Sequence, residues 1–508
     1  MAKAHTPTFT YEMKQSISER DTAFLNEVFF HGNCIYNALV AYCREQISAL
    51  RGNPEYQEAL AAYQKARQSG SPAGGYRRTL DGLIRSHGLT EYGLHGYVKP
   101  LQKEHQGWIH SHVAQKLATA CYRAVEKALY GSGKQIHFRK LMDMHSIENK
   151  NNGTGLRFTK GVLLFGKHRF SVSAPRKGTK GRDYHNQCMA CPVKYCRITR
   201  RMFPSGWQYY LQLALEGTPP AKGRVAGHGP VGMDLGTSTV AAVSETGCIL
   251  EQLAPDIPRR EDQIISIQQR MDACLRRANP DNYNPDGTIR EGHKAWVYPG
   301  VYRKLQRRLK TAFRRGREAR KSAHETLANQ ILALGDTVYT EKMSMSGLAK
   351  RAKASERQGT AVLILQKDST EKTVCKYKRT RRFGSSIGIH APSMLAGILD
   401  RKLGYAGSSV LEVDTMSYRA SQYDHVSDTY QKKDLSTRSF LVGGQRVQRD
   451  LYSAFLLMNP VQDLTHADRE ACIKGFPSFM EHHDACIRRM ILTAKYRNPC
   501  FGLVDFAV

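Results

Sequence analysis

The sequence of 508 residues lacks the features that mark secreted and membrane proteins. No stretch approaches the roughly 18 apolar residues that a membrane span needs. The N-terminal segment MAKAHTPTFTYEMKQ has no apolar core of the kind found in signal peptides. The twelve cysteines are scattered singly apart from one cluster, unlike the dense framework of a disulfide-rich domain. We therefore expect a cytoplasmic protein of a prokaryote, with reduced thiols and no membrane partner.

Acidic residues are also scarce. Asp and Glu total 45 against 76 Lys and Arg, so the formal net charge is +31. A surplus of this size repels itself unless a polyanion lies against it. Nucleic acid is the expected partner, because each neutralised phosphate releases condensed counterions. The alternative, a ribosomal-type or merely soluble basic protein, rarely carries a large apolar catalytic half. An association with the nucleoid follows from this expectation.

The length predicts two to four domains. Residues 1–19 contain a short strand, and helical periodicity dominates 20–130. Residues 131–225 alternate with a period of two and predict a small β-barrel, into which residues 1–19 contribute the first strand. After a linker rich in Gly and Pro, residues 226–508 have an α/β character, with a polar insertion at 415–449 that we expect to form a lid. The predicted fold class is therefore multidomain α+β.

Several elements are predicted in more detail. The barrel should contain two hairpins separated by the basic loop RKGTKGRDYHNQCMAC, and VGMDLGTSTVAAVSETGCIL should form a strand, a tight turn and a second strand. Helices are expected at about 258–278, 300–335 and 386–402, and a further helix should begin near Asp450. The polar segment 418–446 carries no clear periodicity.

Three carboxylates stand where apolar elements end or begin. Asp234 closes the strand V-G-M-D before a Gly-containing turn, and Glu341 follows the strand V-Y-T. Asp450 opens a helix, where a carboxylate suits the positive N-terminal end of the helix dipole. Three acids on separate elements suit phosphodiester hydrolysis, in which two Mg²⁺ ions activate water and stabilise the leaving oxygen. Taken singly, each of Asp234, Glu341 and Asp450 is as well explained as an ordinary strand-end or N-cap acid, so the three stand here as candidate catalytic residues and metal ligands.

Basic side chains form a second candidate site. From Val301 to Lys321 the predicted helix carries ten Lys or Arg and one Glu. Charged faces normally mix signs, so this one favours contact with a nucleic-acid backbone over simple solvation. The candidates on this helix are Arg303, Lys304, Arg307, Arg308, Lys310, Arg314 and Arg315. The barrel adds Arg176, Lys177, Lys180, Arg182, Arg197, Arg200 and Arg201.

The one cysteine cluster approaches a zinc-knuckle spacing. His185, Cys188, Cys191 and Cys196 give H-x2-C-x2-C-x4-C. Cys196 falls at the start of a predicted strand, however, and no second C-x-x-C follows. Ordinary buried or loop thiols are the favoured interpretation, and a structural Zn²⁺ is the alternative.

At these residues the chain resembles the TnpB family of transposon-encoded RNA-guided nucleases and the related compact type V CRISPR effectors. GMDLGTSTVAAVS, TEKMSMSGL and RVQRDLYSAFLLMN resemble the three segments of the family's RuvC domain, and the family's triad falls on Asp234, Glu341 and Asp450. The resemblance implies a ribonuclease-H-like RuvC domain with a helical recognition domain and a wedge barrel. It also implies a guide RNA, double-stranded target DNA and a short flanking motif.

One segment departs from the family pattern. Members usually carry a four-cysteine zinc ribbon before the third RuvC segment, whereas YRASQYDHVSDTYQKKDLSTRSFLVGGQRVQRD contains no cysteine. Asp424, His425 and Asp428 cannot form a closed structural zinc site of the usual Cys-rich kind. We expect a lid without metal.

Three other functions compete with this one. D-L-G-T-S-T also resembles the first phosphate loop of actin-like and Hsp70-like ATPases, but their second Asp-Gly-Gly loop has no match in GGQRVQRD. A transposase of the three-carboxylate type would end on Glu, whereas the order here is Asp, Glu, Asp. A guide-bound DNA-binding repressor that cuts weakly or not at all stays open, although none of the three acids is lost.

Overall fold

The computed structural model describes residues 7–131, 133, 135–220, 226–292, 294–350, 359–365, 371–377, 383–434, 436–493, 499 and 501–506. The chain divides into two compact units, Met1–Lys222 and Gly223–Val508. It is a multidomain protein that mixes helices and sheets. Among the described residues, no helix combines the length and apolar character needed to cross a membrane.

The helices of the first unit begin at well-formed caps. The side chain of Ser18 accepts a hydrogen bond from the Asp21 amide, and that of Asn53 accepts one from the Glu55 amide. Both bonds satisfy donors that a helix N-terminus leaves unpaired. The helices are α1 (Glu19–Gly52), α2 (Pro54–Gln68), α3 (Gly74–Ser86), α4 (Glu91–Glu104), α5 (Ser111–Leu129) and α6 (Lys180–Met189).

Seven strands of the first unit form one antiparallel sheet, in the order β2-β6-β7-β1-β5-β4-β3. The hydrogen-bonded order has β2 and β3 at its two ends, so closure into a barrel stays a prediction. The strands are β1 (Thr8–Ser16), β2 (Ser146–Glu148), β3 (Leu156–Thr159), β4 (Val162–Phe165), β5 (His168–Val172), β6 (Val193–Phe203) and β7 (Gly206–Glu216).

Helices and sheet of the first unit share one hydrophobic core, which includes Leu39 of α1, Val113 of α5 and Leu211 of β7. The predicted hairpin GLRFTKGVLLFGKHRFSVSA is a three-stranded meander, β3 to β5. The basic loop predicted between the barrel hairpins contains helix α6, so that prediction was wrong. The helix is polar, and the side chain of Thr179 caps it by accepting from the Arg182 amide.

The second unit is built on a mixed sheet of five strands in the order β10-β9-β8-β11-β14. Neighbouring strands are antiparallel from β10 to β8 and parallel from β8 to β14. Strands β8, β9 and β10 form an antiparallel meander. Only two strands were predicted for VGMDLGTSTVAAVSETGCIL, so β10 was missed. The sheet strands are β8 (Pro230–Leu235), β9 (Thr239–Ser244), β10 (Gly247–Gln252), β11 (Thr337–Glu341) and β14 (Leu411–Val413).

Helices cover both faces of this sheet. Val231 and Met233 pack with residues of α8 and α11 on one face, and Ala241 and Val243 pack with residues of α13 and α14 on the other. The helices are α7 (Pro258–Ala278), α8 (Gly300–Leu334), α9 (Met345–Leu348), α10 (Gly384–His390), α11 (Pro392–Gly404), α12 (Thr415–Tyr418), α13 (Arg449–Met458) and α14 (Arg469–Leu492).

One sequence prediction in the second unit needs correction, and one segment without a predicted structure is now described. The helix expected at 386–402 is broken at Ala391, which has a left-handed φ of 48°. The segment 418–446 forms two hairpins, β15 with β16 and β17 with β18. The remaining strands are β12 (Gly359–Leu365), β13 (Glu371–Tyr377), β15 (Tyr423–Asp424), β16 (Thr429–Tyr430), β17 (Ser439–Val442) and β18 (Gln445–Gln448).

The hairpin segment is fastened to α13 by buried side chains. The Tyr418 hydroxyl donates to the Leu456 carbonyl at 2.6 Å, and the ring of His425 lies 2.8 Å from the Tyr452 hydroxyl. His425 also packs against Phe476 and Phe455. Aromatic packing and hydrogen bonds therefore hold this cysteine-free segment against the helix that carries Asp450.

Candidate active site

Asp234 and Glu341 lie side by side where two parallel strands end. In the register of β8 and β11, Tyr339 pairs with Gly232 and Thr340 with Met233. The next residues along the two strands are Glu341 and Asp234. Because side chains alternate along a strand, both point to the same face of the sheet as Gly232. The opposite face carries the apolar side chains that pack on α8 and α11.

Gly232 brings α13 onto that face. A Cβ at Gly232 would lie 1.9 Å from the Ala454 carbonyl oxygen and 2.3 Å from the Met458 amide nitrogen. The helix therefore crosses the strand at a distance that only glycine allows. Asp450, Ala454 and Met458 are spaced by four residues and share one face of α13. This crossing consequently brings Asp450 to the end of the sheet where Asp234 lies.

A buried network fixes the start of α13. The Gln448 side chain accepts a hydrogen bond from the Leu451 amide at 2.7 Å and donates to the Phe501 carbonyl at 3.2 Å. The Gln448 amide donates to Nε2 of the fully buried His483 at 3.0 Å. His483 must be unprotonated at Nε2 to accept this bond. Neither residue was predicted from the sequence: Gln448 lies within RVQRDLYSAFLLMN but was not singled out there, and His483 stands in no recognisable motif.

The three carboxylates are shielded from solvent, and the charges of two of them act on the third. Burial raises the pKa of Asp234 well above its usual value, and the nearby charges of Asp450 and Glu341 raise it further. Burial also raises the pKa of Glu341, against a hydrogen bond from the Ala420 amide. The pKa of Asp450 is raised by burial. The negative charges of both other acids act on Asp234, so the site has an excess of negative charge that a bound cation would neutralise.

Two arginines moderate this negative charge. Nη1 of Arg438 lies 3.9 Å from Oδ2 of Asp450, and the charges of Arg438 and Arg449 both lower the pKa of Asp450 and of Asp234. The Arg449 amide donates to the Arg438 carbonyl at 2.9 Å, which joins the two residues through the main chain. Neither arginine was singled out in the sequence, although both stand within twelve residues of Asp450.

The donor set suits a hard divalent cation. Carboxylate oxygens are the ligands that Mg²⁺ prefers, and three of them converge here. Within the described residues, however, no three His, Cys, Asp or Glu side chains are arranged around one metal ion. The residues therefore fit ions held by one or two carboxylates each, with water and phosphate oxygens completing the shell, as Mg²⁺ commonly requires.

The basic helix α8 presents most of its predicted contacts to solvent. Arg303, Lys304, Arg307, Arg308 and Arg315 are exposed, and none of these five forms an ion pair in the part of the chain that the structure describes. The other two predicted residues are less accessible.

Arg314 is buried and donates to Glu318 at 2.6 Å, and Lys310 is half-buried. Five of the seven predicted side chains on α8 are therefore placed to meet a polyanion.

Two of the predicted barrel arginines belong to internal ion pairs. Arg197 and Lys116 both bind Glu148, and Arg201 donates to Glu12 at 2.6 Å. Burial raises the pKa of Glu148, but the hydrogen bonds and charges of Lys116 and Arg197 outweigh it, and the pKa of Glu148 is lowered. These pairs hold strands of the sheet together.

Arg200 is a correction to the predicted nucleic-acid contacts. It is 3% exposed, and its guanidinium lies 4.2 Å from the ring centroids of both Phe29 and Trp207. It donates to the carbonyls of Met144 at 2.9 Å and Leu141 at 2.6 Å. Burial lowers the pKa of Arg200. A side chain enclosed in this way supports the fold and cannot reach a phosphate.

The remaining predicted residues, in and before α6, are more accessible. Arg176, Lys177 and Lys180 are exposed, and half-buried Arg182 donates to the Pro175 carbonyl at 3.2 Å. These four residues therefore remain candidate nucleic-acid contacts.

The predicted zinc-knuckle residues take part in other contacts. His185 Nδ1 lies 3.0 Å from the Tyr11 hydroxyl, the Cys191 thiol contacts the Gln187 carbonyl, and the Cys196 thiol contacts Asn152 at 3.1 Å. Burial raises the pKa of Cys196 to about 12, which disfavours the thiolate that zinc requires. Ordinary thiols remain the favoured interpretation.

No protein-family model and no curated protein matches the chain. Among solved structures, the chain is similar to Cas12f1 in a cryo-EM complex with sgRNA and target DNA, with 11% identity and a TM-score of 0.42. That alignment covers 90% of this chain and 99% of the other. A second, the cryo-EM structure of a CRISPR-Cas12f ternary complex, has 12% identity, a TM-score of 0.24 and coverage of 88% and 83%. Because both TM-scores lie below 0.5, function is inferred here from the residues of this chain.

Proposed function

We propose that this protein is an RNA-guided DNA endonuclease that resembles TnpB and the compact type V CRISPR effectors. The observation that carries the proposal is the convergence of Asp234, Glu341 and Asp450 at one end of a mixed sheet. The three acids come from segments far apart in the sequence. Burial and mutual repulsion raise the pKa of Asp234, an arrangement that favours bound cations over an isolated structural carboxylate.

The topology supports a ribonuclease-H-like domain. An antiparallel meander, β8 to β10, is followed by two strands that extend the sheet in parallel, and helices cover both faces. The neighbouring parallel strands β8 and β11 each carry a site carboxylate, Asp234 next to the last residue of β8 and Glu341 as the last residue of β11. A third carboxylate on the first turn of a packed helix completes a RuvC-type triad of Asp, Glu and Asp.

The residues of the site have different roles in the proposed hydrolysis. Asp234, Asp450 and Glu341 would together hold two Mg²⁺ ions, which supply an activated water and stabilise the leaving oxygen when bound. Arg438 and Arg449, whose positive charges act on Asp450, would contact the scissile phosphate. The Gln448 cap keeps Asp450 in position.

The proposed partners are a guide RNA and a double-stranded target DNA. Pairing between guide and target supplies sequence specificity, while the protein holds the hybrid through its backbone. The exposed side chains of α8 suit this role, and the net charge of +31 agrees with it. The hairpin segment after α12 is the proposed lid over the strand to be cut.

A repressor that binds DNA without cutting it is the second candidate. It is favoured by the position of Arg438, whose Nη1 lies 3.9 Å from Oδ2 of Asp450 and would compete with a cation there. The same experiment separates the two candidates.

The test is to express the protein together with its flanking genomic DNA and to sequence the RNA that co-purifies. The complex is then incubated with Mg²⁺ and a target plasmid with randomised flanks, and Asp234→Ala serves as the control. Bound RNA with flank-dependent cutting that the substitution abolishes supports the nuclease. Bound RNA without cutting favours the repressor, and a preparation without discrete RNA contradicts both.

A further inference from the structure

The first unit contains a cavity that the proposed chemistry does not use. Its volume is about 660 Å³, within the range of small-molecule pockets. Four segments line it: the start of α1 at Phe24, the turn 106–108 before α5, the loop 153–157 leading into β3, and the turn 164–168 between β4 and β5. All four belong to the same compact unit.

One wall of the cavity is aromatic. Phe24 stacks on His168, with ring centroids 3.5 Å apart, and lies 5.6 Å from the Trp108 ring and 5.9 Å from Phe165. Phe24, Trp108 and His168 are only half-buried, although the core continues behind them. Large rings that stay partly open to solvent beside a cavity offer a surface for another flat ring.

The rim of the same cavity is basic. Arg157 and Lys167 are exposed, and neither forms an ion pair among the described residues. His110, the N-cap of the 19-residue helix α5, adds the positive end of a helix dipole. No Asp or Glu lines the cavity, and Asp21 lies beside it, 3.7 Å from Nδ1 of His168.

Glycines keep the cavity open. Gly107, Gly153, Gly155 and Gly166 all line it. A Cβ at Gly107 would meet no atom within 4 Å, so a side chain would fit there. Gly155 is different, because its φ is +73° and a Cβ would collide with the His110 ring. Gly107 is therefore a lining position at which a larger side chain can be added without a collision with the wall.

We propose that this cavity binds one unpaired nucleotide of an RNA. The aromatic wall receives the base, and Arg157 and Lys167 receive its phosphates. RNA is favoured over DNA because recognition of RNA typically uses unstacked bases of loops and ends, whereas the paired bases of a DNA duplex stay stacked and cannot enter a pocket. The inference rests on the proposed RNA partner, but it concerns a site separate from the three carboxylates.

Trp108 provides a direct readout. The chain has three tryptophans, and Trp207→Phe with Trp296→Phe leaves Trp108 as the sole tryptophan while keeping a ring at both other positions. The full-length protein is titrated with a short unstructured oligouridylate, and the fluorescence of Trp108 is followed. Saturable quenching is expected, since a base that enters the cavity contacts the indole wall.

Two variants test the site itself. In that background, Arg157→Ala with Lys167→Ala should raise the oligouridylate concentration for half-maximal quenching about 100-fold, because each lost charge-assisted contact is worth roughly one factor of ten. Gly107→Leu should raise it as well, because it adds a bulky side chain to the lining of the cavity. Arg85→Ala with Lys99→Ala removes the same charge from exposed positions outside the cavity and should have little effect.

Equal loss in the two charge variants, or unchanged quenching with Gly107→Leu in a protein of normal stability, would overturn the cavity assignment. Stronger quenching by an oligodeoxythymidylate of the same length would overturn the assignment to RNA. Cutting by the Asp234 site is measured separately. A protein that cuts guided targets without Trp108 quenching refutes this inference alone, and one that quenches but does not cut leaves it intact.

Discussion

The crossing of β8 and α13 at Gly232 gives the sharpest prediction about the site. In Gly232→Ala the added Cβ meets two main-chain atoms, at 1.9 and 2.3 Å, and main chain cannot rotate away as a side chain can. Restoring an ordinary contact of 3.4 Å from 1.9 Å requires α13 to move by about 1.5 Å, because packed interiors leave no free space. Overpacking of this kind costs about 1–3 kcal/mol or more in the free energy of unfolding.

The same movement displaces Asp450 from Asp234. A misplacement of about 1 Å can lower a rate by about 100-fold. We therefore expect Gly232→Ala to lose both stability in urea unfolding and at least this factor in target cleavage, while bound RNA is retained. Gly397→Ala is the matched control, since this exposed glycine within α11 has no neighbour within 4 Å of an added Cβ. It should gain up to about 1 kcal/mol. A Gly232→Ala protein as stable and as active as the parent would refute the proposed packing of the site.

Three further predictions concern other parts of the chain. Replacing Arg307 and Arg308 by Gln should reduce the slope of log affinity for target duplex against log salt by about 0.9 per lost phosphate contact, and an unchanged slope would place the nucleic acid elsewhere. Glu148→Gln should cost about 1–3 kcal/mol at neutral pH. Because the folded pKa of Glu148 is lowered, this stability is present above the unfolded value of 4.5 and disappears as pH falls through the folded pKa, so parent and variant should converge in acid in urea unfolding at several pH values. Gln448→Ala should lower stability by about 1 kcal/mol or more through loss of the α13 cap, whereas exposed Gln445→Ala should not, and equal denaturation midpoints would contradict the capping role.

Much of the second unit could be predicted from local pattern. Helices α7 and α8 begin and end within a residue of the predicted bounds, because long amphipathic periodicity is a strong signal. The positions of Asp234 and Glu341 at the ends of apolar strands made them candidates, but their grouping into one site rested mainly on the resemblance to the TnpB family. The turn into β10 and the break at Ala391 were missed, since both depend on one or two residues within longer apolar patterns.

The buried position of Arg200 could have been predicted from the alternation of residues in β6. In β6, Cys196, Ile198 and Met202 are buried, and Arg200 occupies the same alternating face. The period of two therefore indicated that Arg200 points into the core. Because it is basic, it was instead predicted to contact nucleic acid. Gly232, by contrast, could not have been interpreted from the sequence, because its role depends on a helix more than 200 residues later in the chain.

The central claim is that Asp234, Glu341 and Asp450 form one active site. The most direct test measures guided cleavage by Asp234→Asn, Asp450→Asn and the double variant, each with its bound RNA and its affinity for target DNA determined alongside. Residues that act as a unit are non-additive, so the double variant should lose no more activity than the weaker single variant while binding is unchanged. Losses that multiply, or a single variant that cuts normally, would contradict the account.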